Sequence, residues 1–384
     1  MKNEKGLINR VRLLSEFINL TSIDSESFNE RFIADYLIKK LKDLGLRVEV
    51  DDADIKLLSI ANGSAHTASN IYAFHKGNGD LPAVLFSAHM DTVKPGKGKK
   101  AVIHKDGRIT SEGNTVLGAD DVSGLVSILE ALTVIKENRL RTGDIEVLFT
   151  VAEEPYCSGS RYLQYEKIKA KTGYVFDLTG RVGTAAVAAP SILSIGIKVI
   201  GKAAHSGFAP EQGINALSIT ADALSHIKTG RIDKDLTVNF GTIIGGSGKN
   251  IVPETIEIEG EIRCMEHKKA MDEANLIKEE FEKTASIYGG RIEMTVLEQI
   301  HSYRISEEKD VVKKFLRAVS EAGRCIEPEC IDTFGGSDAN RLNEHGIETI
   351  VVACAMECSH GTAEYTTVEE LEKAAELALN LMTV

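Results

Sequence analysis

The stretch Ala83-Val-Leu-Phe-Ser-Ala-His89-Met-Asp91 runs six apolar or small residues directly into an imidazole and a carboxylate. A run this apolar on both faces predicts a strand covered by helices on each side, the α/β pattern. The same design recurs along the chain. Ile145 to Val151 runs into Glu153-Glu154, Gly173-Tyr-Val-Phe176 into Asp177, and the apolar stretch from Glu348 to Cys354 is followed, after a short connection, by His360. In an open α/β sheet the carboxyl ends of parallel strands line the ligand crevice, so four strands would deliver His, Asp and Glu to one edge. Gly118-Ala-Asp-Asp-Val-Ser-Gly124 adds Asp120 and Asp121 at the start of a helical pattern carried by Val122, Leu125, Val126, Leu129 and Leu132. A helix N-terminus favours negative charge there.

Two amphipathic helices precede these strands, one through Leu7, Val11, Leu14 and Ile18, the other through Phe28, Phe32, Ile33, Leu37, Leu41 and Leu44. Ser27 with Glu30 reads as a capping box for the second, and Gly45 as its stop. The character changes between about residues 181 and 300. Strands of more alternating type, Ile192 to Ile200, Leu236 to Ile244, Thr255 to Met265 and Arg291 to Leu297, interleave with helical stretches near 215–227 and 268–288. The expected organisation is an α/β catalytic domain with a mixed, mainly parallel sheet, formed by residues 1–180 and 301–384, into which 181–300 is inserted as an α+β domain.

Composition excludes several classes of function. With 57 acids against 45 bases the net charge is −12, and no run of four or more Lys/Arg occurs, so the electrostatic footprint of a nucleic-acid binder or anionic-lipid binder is missing. No window approaches eighteen consecutive apolar residues, so no membrane-spanning helix is expected. Six cysteines without C-x-x-C spacing predict free thiols rather than a disulfide framework, and the start of the chain shows no secretory h-region; a cytoplasmic protein is expected. Gly245-Gly-Ser-Gly-Lys-Asn250 fails as a phosphate loop because Ile243 stands where glycine is needed and Asn250 replaces the hydroxyl residue. Neither H-E-x-x-H nor G-x-S-x-G is present, which removes helix-borne zinc proteases and serine hydrolases.

Taken singly, the strand-end residues have ordinary readings: an Asp as a cap, a His as a hydrogen-bonded surface residue, Glu153-Glu154 as a solvated loop. Their coincidence at one sheet edge does not. Acids gathered there repel one another and call for compensating positive charge. Two His with carboxylates and no Cys suit Zn²⁺, Mn²⁺ or Co²⁺ better than Ca²⁺, and five ligands suit two ions sharing a bridging carboxylate.

His89-Met-Asp91-Thr92, Gly118-Ala-Asp120-Asp121, Glu153-Glu154, Asp177, Ala204-His205-Ser206-Gly207, Gly335-Gly-Ser-Asp338 and Ser359-His360-Gly361 together resemble the dinuclear zinc exopeptidases, the family that includes peptidase T, carboxypeptidase G and the aminoacylases. Leu117-Gly-Ala-Asp-Asp121 looks most like the peptidase T branch, whose members are aminopeptidases acting on tripeptides. The resemblance implies that His89, Asp120 and Asp177 hold one metal and Asp120, Glu154 and His360 a second, with Asp120 bridging. It implies that Asp91 orients His89 and that Glu153 is the general base, the two neighbouring glutamates pointing opposite ways in an extended segment. The inserted domain would be a lid that mediates homodimerisation, with His205 reaching a neighbouring subunit's site to stabilise the oxyanion, and with Asn250 and Arg263 binding a substrate carboxylate. Many relatives carry Lys two residues after the bridging aspartate, where this chain has Val122.

The implied reaction is hydrolysis of a peptide bond in a short peptide by a water that two metals activate. An N-acyl amino acid deacylase or a carboxypeptidase would need the same metals and base. A non-catalytic peptide-binding protein is disfavoured by the complete ligand set.

Overall fold

A computed structural model describes residues 6–61, 66–321 and 327–383. Cys325, one of the six thiols expected to be free, lies outside them; Cys157, Cys264, Cys330, Cys354 and Cys358 are free. The chain divides into two compact units, residues 1–188 with 304–333 and 337–384, and residues 189–303 with 334–336. The first junction falls later than the change in hydrophobic pattern at 180/181, because Thr184–Ala189 is a strand of the large sheet, antiparallel to Glu348–Ala353 and parallel to Glu329–Asp332.

In the larger unit the parallel core of the sheet runs Ile145–Thr150, Val84–His89, Thr172–Leu178, Glu348–Ala353. Ile71–His75 and Arg47–Val50 extend it in antiparallel fashion beyond Ile145–Thr150. Every residue of Val84–His89 and of Ile145–Thr150 is buried, as the unbroken apolar runs require. Phe86 packs its ring against Tyr174 and Phe176 of the adjacent strand, at centroid distances of 5.7 and 6.3 Å. Truncating such a buried ring to Ala costs roughly 3–5 kcal/mol. The mixed, mainly parallel sheet matches the fold class read from the sequence.

The Ala119–Asn138 helix lies on the Val84–His89 and Thr172–Leu178 strands and is covered in turn by Val368–Thr383 and Arg10–Thr21. Its close approach is set by Gly124: a Cβ there would stand 2.4 Å from the Phe176 carbonyl oxygen and 2.5 Å from Asp121 Oδ1. Val122 is buried in this core.

Both N-terminal helices form, with corrections. Arg10–Thr21 buries Leu13, Phe17 and Leu20 rather than the expected stripe; Val11 and Ile18 face solvent. Both stripes have helical spacing, and only the packing partner selects between them. Arg31–Leu44 ends at Gly45 in the left-handed conformation, as read, but Ser27 and Glu30 form no capping box. Both side chains are used elsewhere.

The second unit is an antiparallel sheet in the order Gly230–Arg231, Leu236–Gly245, Thr255–Cys264, Ser191–Ile200, Arg291–Ile300. Alternating residues Leu193, Ile195, Ile197 and Val199 meet Ile277 and Phe281 of the His267–Tyr288 helix and Ile219 of Ala216–His226 in one core. The period of two in the sequence reflects that single covered face.

Candidate metal centre

The ends of the parallel strands place their polar residues as the sequence pattern requires. His89 is the last residue of its strand and is fully buried. Its Nδ1 lies 2.9 Å from the main-chain oxygen of Asp91. A carbonyl only accepts, so Nδ1 carries a proton, and Nε2 is the nitrogen turned toward the acids. That Nε2 stands 3.0 Å from Asp120 Oδ1 and 3.6 Å from Asp177 Oδ1. The other oxygen of Asp120, Oδ2, lies 3.3 Å from Nε2 of His360, which is 3.0 Å from Glu154 Oε2. One carboxylate thus stands between two imidazoles, each of which also faces a second acid.

Asp120 is aimed by its backbone. The first residues of the Ala119–Asn138 helix, Asp120 and Asp121, have non-helical dihedrals, so their side chains diverge. Asp121 does not face the imidazoles' Nε2 atoms: its oxygens accept from the amides of His89 (3.0 Å) and Gly124 (3.1 Å), tying the strand end to the helix. Glu364, which the sequence pattern did not single out, accepts from the amides of Gly118 (2.7 Å) and Asp120 (2.9 Å). Its only signal was an acid four residues after His360.

Asp91 meets the His89 ring through both its carboxylate and its main-chain oxygen. Its carboxylate Oδ1 is 3.5 Å from His89 Nδ1, farther than its own carbonyl. The carboxylate also accepts from the amides of Glu153 (2.9 Å) and Glu154 (3.3 Å) and from Ser27 Oγ (2.7 Å). Glu30 supports the same turn from behind, its Oε1 accepting from Ala152 N at 3.1 Å and Phe28 N at 2.7 Å. Burial, reinforced by Asp91, pushes the Glu30 carboxyl up to about 8.

The 152–157 segment is a turn with Ala152 at φ 47, not an extended run, so Glu153 and Glu154 both point inward. One oxygen of Glu153 lies within 4.8 Å of ligand atoms of His89 and Asp177; Glu154 is grouped in the same way with His89 and Asp120. Cys157 Sγ donates to Glu153 Oε1 at 3.2 Å. Asp338, also buried, accepts from Thr150 Oγ1.

Electrostatics record the crowding. Burial and the neighbouring Asp177 hold the Glu153 carboxyl well above its usual range, and burial raises Asp177 to about 7. Burial opposes the imidazolium form of His89, yet hydrogen bonds to Asp120, Asp177 and Asp91 outweigh it. Hydrogen bonds to Asp120 and Glu154 raise His360 to about 10. The surrounding carboxylates thus favour the charged form of both imidazoles. Glu154 Oε1 is buried with no hydrogen-bond partner, an orphan acceptor of the kind a cation satisfies. The donor set of imidazole nitrogens and carboxylate oxygens fits divalent transition metals.

The remaining expected site residues lie in the second unit. His205 is exposed; its Nδ1 accepts from the amides of Gly207 and Phe208, both at 3.1 Å, which leaves Nε2–H as an outward donor. Its loop pairs with the one carrying Asn250: Ser206 N donates to Asn250 O at 3.0 Å. Arg263 is already engaged, its Nε and Nη2 donating to both oxygens of Glu261 and its Nη1 to the Phe334 carbonyl.

A mixed α/β sheet that gathers imidazoles and carboxylates at its strand ends, with an α+β insertion, has the build of a metallopeptidase. The chain belongs to Peptidase family M20/M25/M40, whose description matches residues 85–383. It is 37% identical over 377 residues to the Bacillus subtilis protein YqjE, covering 98% of this chain and 99% of that one. Among solved structures it is similar to a tripeptidase from Staphylococcus aureus, with TM-score 0.92 and 35% identity over 98% of this chain and 99% of that one. It is likewise similar to aminopeptidase PepT from Bacillus cereus, with TM-score 0.88, 39% identity and the same coverage.

Proposed function

We propose that this peptidase is a metal-dependent aminopeptidase that releases the N-terminal residue of tripeptides. The observation that carries the reading is the Asp120 carboxylate, each of whose oxygens faces a different imidazole. Likeness to a tripeptidase and an aminopeptidase over nearly the whole chain supports the substrate class.

In this reading His89, Asp120 and Asp177 hold one divalent cation, and Asp120, Glu154 and His360 a second, with Zn²⁺ the expected ion and Mn²⁺ or Co²⁺ alternatives. When bound, the pair would polarise the scissile carbonyl and make a water acidic enough to attack at neutral pH. Glu153 takes the proton from the attacking water and passes it to the leaving amine. Cys157 steadies one oxygen of Glu153 by its Sγ–H, and Asp91 fixes the backbone that carries both glutamates. His89 and His360 keep Nε2 turned toward the carboxylates, so the ligands are in place before substrate arrives.

The inserted unit supplies binding. His205 offers Nε2–H to the developing oxyanion, acting on the partner's site in a homodimer formed through this unit. Asn250 and Arg263 bind the peptide's terminal carboxylate, for which Arg263 must exchange Glu261. Free thiols at Cys157, Cys264 and Cys354 suit a reducing cytoplasm.

Product analysis tests this. Leu-Gly-Gly should yield free Leu and Gly-Gly, chelation should abolish the reaction, and Zn²⁺, Mn²⁺ or Co²⁺ should restore it. Release of Leu-Gly and Gly would make the protein a carboxypeptidase. Turnover of N-acetyl amino acids alone would make it a deacylase.

A further inference from the structure

The inserted unit carries its own cluster of imidazoles and carboxylate. His267 opens the His267–Tyr288 helix, Glu298 lies near the end of the Arg291–Ile300 strand, and His301 follows that strand. Glu298 Oε2 is 3.0 Å from His301 Nε2 and 3.7 Å from His267 Nε2. One ligand atom from each residue lies within 4.8 Å of the other two. The two rings stack with centroids 3.9 Å apart. His267 Nδ1 is engaged 3.1 Å from Ser191 Oγ, which also accepts the Ser302 amide at 2.7 Å.

We propose that His267, Glu298 and His301 form a further divalent transition-metal site, of the kind that takes Zn²⁺. Two imidazoles and one carboxylate are a recurrent zinc donor set, and three protein ligands leave a fourth position to water. Imidazole disfavours Mg²⁺ and Ca²⁺, which prefer all-oxygen shells. Ser191 supplies what a ligating histidine needs behind it: a partner on Nδ1 that fixes the ring with Nε2 forward. The side chains of His267, Glu298 and His301 are 28%, 45% and 36% exposed, so the rings can pivot onto an ion at about 2.0–2.1 Å and the ion can exchange with solvent.

An ion here would act as a cross-link. It would join the start of the helix to the end of the strand that pairs with Ser191–Ile200, close to where the chain enters the unit at 189 and leaves it at 303. Binding to the folded unit alone stabilises it by mass action.

The test compares wild type with His267→Gln/His301→Gln by equilibrium dialysis against micromolar Zn²⁺ and elemental analysis. Wild type should hold one equivalent more per chain, and its zinc titration should lose a component in the variant. Losing ligands should weaken that component by more than the roughly 10- to 100-fold that loss of a ligand's hydrogen-bond partner costs. Zn²⁺ should also raise the melting temperature of wild type more than that of the variant. If the double variant misfolds by circular dichroism, Glu298→Gln, at an exposed position, should show the same loss. Asp120→Ala, which disrupts the strand-end centre, should leave this component in place, so failure of either site is read separately. Equal zinc stoichiometry and affinity in wild type and the folded variant would overturn the proposal.

Discussion

Replacing Asp91 separates two accounts of what its carboxylate does. If it chiefly fixes the His89 ring, Asp91→Ala should weaken metal binding and leave folding nearly intact. The structure argues the reverse, because Nδ1 of His89 is already held by the main-chain oxygen at 2.9 Å, which any residue at position 91 retains. What Ala removes is the acceptor for Glu153 N, Glu154 N and Ser27 Oγ. The hydroxyl can turn elsewhere; the two amides cannot. Each buried donor left unpaired costs about 1–3 kcal/mol, so Asp91→Ala should destabilise by about 2–6 kcal/mol. Asn keeps an oxygen opposite Glu153 N and sets an NH₂ group against Glu154 N, so Asp91→Asn should cost about half as much, about 1–3 kcal/mol. Urea unfolding of the metal-free protein reads this directly, since no ligand contributes there. Activity should fall in both variants, because the turn carrying Glu153 loosens, while the zinc affinity of folded protein changes less than the rate. An Asp91→Ala chain within about 1 kcal/mol of wild type, but with metal affinity greatly reduced, would show that Asp91 acts chiefly by orienting His89.

Glu153→Gln should bind metal almost as wild type does while kcat falls by about 10²–10⁴-fold, since the shape is kept and the base is lost; more than about a tenth of wild-type kcat would show the role to be misassigned. His205→Ala should lose roughly 10²–10³ in kcat, and mixing it with excess Glu153→Gln chains should restore some activity if His205 serves the partner's site. Labelled mixed dimers without rescue would confine His205 to its own chain. Lys314→Met should stabilise the fold near neutral pH. Burial, helped by the like charge of Arg317, lowers the Lys314 ammonium to about 8 from 10.5. Between those values the unfolded chain binds more protons than the native one, so wild-type stability rises with pH through that window. The advantage of Met should be full below about pH 8 and vanish above 10.5, as followed by melting temperature.

The parallel strands were legible because burial on both faces writes an unbroken apolar run, and the site was legible because each run ends in a residue that is costly to bury charged without a partner. That logic is one-dimensional, and it stops where the third dimension begins. The apolar pattern alone could count Asp120 and Asp121, and only the family resemblance chose Asp120, since the distinction lies in two non-helical residues that turn one side chain to the imidazoles and the other to the amides of His89 and Gly124. It assigned opposite directions to Glu153 and Glu154 by treating an irregular turn as a strand. It gave Ser27 and Glu30 to a helix cap because the local pattern matched, whereas long-range contacts claim both, Ser27 for Asp91 and Glu30 for Ala152.

Glu364 shows why such support escapes sequence reading. It is 1% exposed, and its carboxylate is bonded to amides 244 and 246 residues away. A buried acid with no salt-bridge partner among the described residues would ordinarily be a liability, yet backbone donors compensate it. Those donors are free only because Gly118 and Asp120 precede the regular helix, where amides have no carbonyl one turn back. The non-helical start that turns Asp120 toward both imidazoles therefore also creates the unpaired amides that Glu364 satisfies. Aiming the central carboxylate and anchoring its backbone are two consequences of one local departure from the helix.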